Sequence, residues 1–125
     1  MAVAQNLSQT LAPSASRTAT TTFGPFSNPS GRSLRITIRA TALTATPSVT
    51  PKIQSVSPGG GLTDVLVGTA ITTAAPTEQV LLVGPDLTAA ANTIAQTVAP
   101  VRFNVVMTAG DADPLTYAIY AEYLS

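Results

Sequence analysis

Ser33-Leu-Arg-Ile-Thr-Ile-Arg-Ala-Thr-Ala42 alternates between polar and apolar side chains at every step. Leu34, Ile36, Ile38 and Ala40 fall on one side, and Arg35, Thr37, Arg39 and Thr41 on the other. A period of two residues is that of a β-strand with one face buried and one face wet. The residues around this stretch extend the same reading. Downstream, Val49-Thr-Pro-Lys-Ile-Gln-Ser-Val56 runs into Ser57-Pro-Gly-Gly-Gly61, a hairpin loop, and then Leu62-Thr-Asp-Val-Leu-Val67. Pro51 removes a ladder donor and predicts an edge position or a bulge. Glu78-Gln-Val-Leu-Leu-Val83 is a further short strand, stopped by Gly84-Pro85.

Upstream, Phe23-Gly-Pro-Phe-Ser-Asn-Pro-Ser-Gly31 has the composition of a turn, with its two phenylalanines as anchors at a core edge. Residues 86–98 admit two readings. One is a helix capped by Asp86, with Leu87, Ala90, Ala91, Ile94 and Val98 on one face; the other is a loop with one helical turn. Near the end, residues 101–108 and 115–124 read as a closing hairpin around Ala109-Gly-Asp-Ala-Asp-Pro114. Tyr117 and Tyr123 share one face of that last strand and Tyr120 takes the other. Seven or eight short strands with Gly/Pro turns predict an all-β fold, an antiparallel two-sheet β-sandwich of jelly-roll type.

The first 22 residues differ from the rest. They are small, polar and nearly aperiodic, so they read as an extended N-terminal arm, with the sandwich domain over residues 23–125. Holding 22 residues in one shape costs on the order of 20–40 kcal/mol of backbone entropy, and such side chains offer little to offset it. An arm gripped by neighbouring subunits is one account, under which its removal leaves the sandwich folded. An edge strand folded back on its own domain is the other. Residues 1–10 show neither the basic nor the apolar region of a signal peptide, and no apolar run is long enough to span a membrane.

Composition restricts function more than it suggests one. The 125 residues contain no histidine, no cysteine and only six carboxylates. That removes the thiol nucleophile, the imidazole base and the soft-metal ligands, and predicts a non-enzyme with no cofactor and no metal. Six basic residues balance the six acidic ones, leaving no field to draw nucleic acid or an acidic membrane. Charged residues are 10% of the chain against roughly 25% in an ordinary domain, which suits a surface made to be covered by other protein. Asp111 and Asp113 are too few oxygens for a calcium site and read as a turn. Lys52, the one conceivable base for a serine, is expected to be solvated on its strand. Asp64, Glu78, Asp86 and Glu122 are the carboxylates available to a glycosidase pair. Candidate interface residues are Leu7, Leu11 and Arg17 of the arm, Arg35 and Arg39 of the basic row, and Tyr120.

The segments Ser33–Ala42 and Pro47–Gly60, with Gly84–Thr93, Ala99–Val106 and Gly110–Tyr117, together resemble small β-sandwich virion proteins of tailed bacteriophages. In these a strand pair leads through a Ser-Pro-Asp/Gly-Gly hairpin, and a Gly-Asp-Ala-Asp-Pro turn precedes the last strand. They often carry Trp after the glycine hairpin, where this chain has Leu62-Thr-Asp-Val65. The resemblance implies a capsid decoration (cement) protein on the virion surface, made in the host cytoplasm. Its partner would be the major capsid protein or another virion protein, and it would assemble as a homo-oligomer such as a trimer. A neck or tail component, or a carbohydrate- or receptor-binding module of a fibre, is the alternative.

Overall fold

The computed structural model describes residues 7–29, 32–74 and 76–124. Nine strands follow one another: β1 (Leu7–Arg17), β2 (Thr21–Ser27), β3 (Ser33–Leu43), β4 (Val49–Val56), β5 (Leu62–Val67), β6 (Thr77–Val83), β7 (Ile94–Ala95), β8 (Arg102–Ala109) and β9 (Leu115–Leu124). They form two sheets, ordered β1-β9-β3-β6-β7 (sheet A) and β2-β8-β4-β5 (sheet B). All pairings of these strands are antiparallel except β6 with β7. The described residues contain no helix.

The alternation in β3 sets the inner face of sheet A. Leu34, Ile36, Ile38 and Ala40 are fully buried, joined by Leu115, Tyr117, Ile119, Ala121 and Tyr123 of β9 and by Leu81 and Val83 of β6. Sheet B closes over them with Phe103, Val105 and Met107 of β8, Val49 and Ile53 of β4, and Leu66 of β5. Phe23 and Phe26 pack against this core from β2. They do so from a strand, whereas the sequence predicted a turn there. Residues 21–27 pair with β8 in spite of Gly24 and Pro25, which are taken up by a register shift between Phe23 and Phe26. Residues 30 and 31 of the expected turn lie outside the described residues.

Two other expectations are altered, and one open alternative is resolved. The final two strands do not form a hairpin: β8 lies in sheet B and β9 in sheet A. Residues 110–114 arch between the sheets, held where the Gly110 N–H donates to the Ser48 carbonyl at 2.8 Å and the Thr44 N–H to that of Pro114 at 3.1 Å. Pro51 occupies an interior strand. Its carbonyl accepts from the Gly68 N–H at 2.7 Å, just beyond the end of β5, and the missing proline N–H leaves that bond without its reciprocal. For residues 86–98 the loop reading holds over the helix, and the loop carries the short strand β7. Asn92 takes a left-handed φ of 60°, and its amide reaches across to the Val67 carbonyl at 3.0 Å.

Of the expected arm, Leu7–Arg17 is the edge strand of sheet A, the folded-back alternative, and residues 21 and 22 belong to β2 in sheet B; residues 1–6 lie outside the described residues. Backbone pairing with β9 runs from Leu7↔Tyr123 to Arg17↔Leu115. Leu11 and Ala12 enter the core, and the Tyr123 hydroxyl donates to Gln9 Oε1 at 2.8 Å.

Leu11→Ala is therefore expected to cost about 2–4 kcal/mol in urea unfolding, as other buried leucines do. Deleting residues 1–17 is expected to cost more, because it strips a whole ladder from β9. A truncated chain with an unchanged midpoint would remove β1 from the folding unit. Alkali is a second probe. Burial pushes the Tyr117 phenol above its ordinary value of 10.0, with the Arg17 guanidinium opposing that shift, and burial likewise raises Tyr123. A raised acid constant means the folded state holds the proton more tightly. The contribution is complete below the unfolded value near 10 and fades as pH climbs through the folded one. Stability should fall above pH 10, together with delayed phenolate absorbance from Tyr117 and Tyr123; titration of these two without delay would contradict this.

Candidate interaction face

The outer face of sheet A carries the side chains that the alternation of β3 turns away from the core. Register fixes their neighbours. Arg35 pairs across the ladder with Glu122 of β9 and Leu82 of β6, and Thr37 lies between Tyr120 and Val80. One step further, Arg39 lies between Ala118 and Glu78, while Thr10 of β1 flanks Tyr120 on its other side. Two ion pairs result: Arg35 Nε to Glu122 Oε1 at 3.5 Å and Arg39 Nη1 to Glu78 Oε1 at 3.1 Å. All four side chains are about half exposed, so each pair contributes at most about 1 kcal/mol. Their larger effect is to cancel charge on this face. Between them Tyr120 is 39% exposed, beside a shallow depression of about 300 Å³ lined by Ser8, Gln9, Thr10, Tyr120, Ala121 and Glu122.

The arm residues are placed differently. Leu11 is buried in the core, and Leu7 lies half exposed at the start of β1. Arg17 closes the far end of that strand. Its guanidinium donates to the carbonyls of Tyr117 at 2.6 Å, Pro13 at 2.7 Å and Ala15 at 3.3 Å. It also lies 4.5 Å from the Tyr117 ring centroid and 5.1 Å from that of Phe23. Leu11 and Arg17 thus bind β1 to its own domain, and only Arg35, Arg39 and Tyr120 of the six candidates share one surface. Glu78, Glu122, Thr10 and Val80 complete that surface. The even positions of β6 and β9 mark Glu78, Val80 and Glu122 as outward, and pairing with Tyr120 places Thr10 beside them; only the strand order shows that they meet.

Each of the six carboxylates already has a partner within the fold. Asp86 pairs with Arg32 at 2.5 Å and Asp64 with Lys52 at 3.1 Å, alongside the Glu78 and Glu122 pairs. Lys52 is accordingly held against β5 rather than freely solvated. Asp111 Oδ1 accepts from the Asp113 N–H at 3.1 Å, and Asp113 Oδ2 accepts from Thr46 N–H at 3.2 Å and Oγ1 at 3.3 Å. The turn reading of these two aspartates fits that geometry, although the turn shapes an arch between sheets. No group of three or more potential metal ligands occurs among the described residues.

No family model matches this chain, and no curated protein matches it. Among solved structures, one titled "Structure of infectious bursal disease virus Gt strain" is similar, at 16% identity and a TM-score of 0.46. The match covers 94% of this chain and 31% of that one, so this chain spans about a third of its neighbour's length.

Arg17→Ala should destabilise the fold by about 2–3 kcal/mol, since it removes charged hydrogen bonds and ring contacts together. A double-mutant cycle on Arg39 and Glu78 should return a coupling below about 1 kcal/mol that shrinks further in salt. Chemical denaturation measures both. The reverse ranking would mean that the charge pairs, and not β1, hold the sheet.

Proposed function

We propose that this chain is a structural protein of a virion, one that binds the capsid lattice and stabilises it as a head decoration or cement protein. The observation that carries the reading is the strand order. Four strands in the order β1-β9-β3-β6 face four in the order β2-β8-β4-β5, an order that supports the jelly-roll reading, an architecture of viral capsid and lectin domains. The resemblance of residues 33–60 and 84–117 to tailed-phage virion proteins supports the same assignment. So does the chemistry: all six carboxylates are paired or tied into a turn, and the chain holds neither imidazole nor thiol.

In this reading the outer face of sheet A is the docking surface. Its charges cancel in two internal pairs, which lowers the cost of drying it against another protein. Tyr120, Arg35 and Arg39 are of the residue types that concentrate binding energy at interface centres. The partner is the major capsid protein, the chain acts as a homo-oligomer such as a trimer at a lattice junction, and no nucleic acid, membrane or cofactor takes part. The depression beside Tyr120, with its hydroxyls and one carboxylate, favours a glycan-binding fibre module as the second reading.

Quantitative mass spectrometry of purified particles tests the proposal. Hundreds of copies per particle are expected, and Tyr120→Ala combined with Arg39→Ala should lower occupancy while leaving the melting temperature nearly unchanged. A low, neck-like copy number or full occupancy by that variant would overturn the lattice assignment. A hit on a glycan array, abolished by Tyr120→Ala, would establish the second reading instead.

A further inference from the structure

Strand β1 holds to its sheet by means that depend little on which chain supplies it. Of its eleven residues only Leu11 and Ala12 are buried. The rest of its attachment is the backbone ladder to β9, the Gln9–Tyr123 hydrogen bond and the Arg17 clamp on Tyr117. Residues 18–20 then carry the chain across to β2 in the other sheet. Within that link, the Thr20 hydroxyl accepts from the Ala109 N–H at 3.0 Å.

The groove that receives β1 is selective. Pairing along β9 is interrupted twice, between Thr10 and Ala12 and between Ala12 and Ala15. A regular strand laid on β9 would fall out of step at both points. A matching occupant needs the same extra residues at the same places, an apolar pair for the core, and an arginine at its end. A second copy of residues 7–17 meets all of these requirements.

We propose that β1 exchanges between copies of this chain, the β1 of one molecule seating on the β9 of another. Each contact made within one chain is remade between two, so only residues 18–20 must change path, the economy that makes strand exchange a ready route to oligomers. The inference goes beyond the virion reading and does not rest on it. Particle occupancy and strand exchange are read by separate measurements, and either can fail alone.

The absence of cysteine makes the test direct. Ser16 and Thr116 are ladder partners, and antiparallel partners have Cα atoms about 4.5–5.5 Å apart, within reach of a disulfide. Single variants Ser16→Cys and Thr116→Cys are mixed at high concentration, by long incubation or joint refolding, then oxidised and run on a non-reducing gel. A covalent heterodimer is expected at several times the yield from Ser16→Cys mixed with Thr72→Cys, whose new thiol lies on an exposed loop. The double variant Ser16→Cys/Thr116→Cys should give linked dimers that increase with concentration. Equal yields in the two mixtures, or a double variant that closes only within monomers at every concentration, would overturn the proposal.

Discussion

Strand β9 lies between β1 and β3 and supplies five side chains to the core. Its backbone is hydrogen-bonded on both flanks, to residues near the start of the chain and to the strand with the strongest alternation. A half-buried sheet face is tolerable only if register is exact to the residue, because a slip by one turns every apolar side chain outward. Leu34↔Tyr123, Ile36↔Ala121 and Ile38↔Ile119 bring apolar partners together on one face. The same register brings Arg35 to Glu122 and Thr37 to Tyr120 on the other. Core and candidate surface are thus two sides of one alignment.

Much of this was legible locally. The alternation of residues 34–41 is nearly free of ambiguity, the glycine tip joins β4 to β5 as a hairpin, and the three tyrosines divide between faces as their parity dictates. What was not legible involved partners far away in the chain. Residues 7–17 bury two side chains, and the rest of their stabilisation comes largely from a main-chain ladder to a distant strand that begins at Leu7↔Tyr123, which leaves no periodic trace. The aspartates at 111 and 113 form a tight turn equally well whether the chain doubles back or arches to the opposite sheet. Gly24-Pro25 carries turn chemistry, and a bulge absorbs it inside a strand.

The candidate surface shows the same division. That Arg35 and Arg39 point outward follows from parity alone. Their pairing with Glu122 and Glu78 depends on which strands flank β3, and no short-range signal reports that. Arg17 is the clearest case: the sequence marks it as a candidate interface residue of the arm, yet three carbonyls and two aromatic rings of its own chain converge on it.

The central place of β9 has a consequence for biosynthesis. Both strands that need it are made before it, so a nascent chain emerging from the ribosome carries β1 and β3 each with an open flank until residues 115–124 have been translated. Sheet B has a similar dependence on β8. The domain therefore closes late and almost at once, and its unfinished forms present bare ladder edges to one another. A population of such chains is most exposed to mispairing when synthesis is fastest.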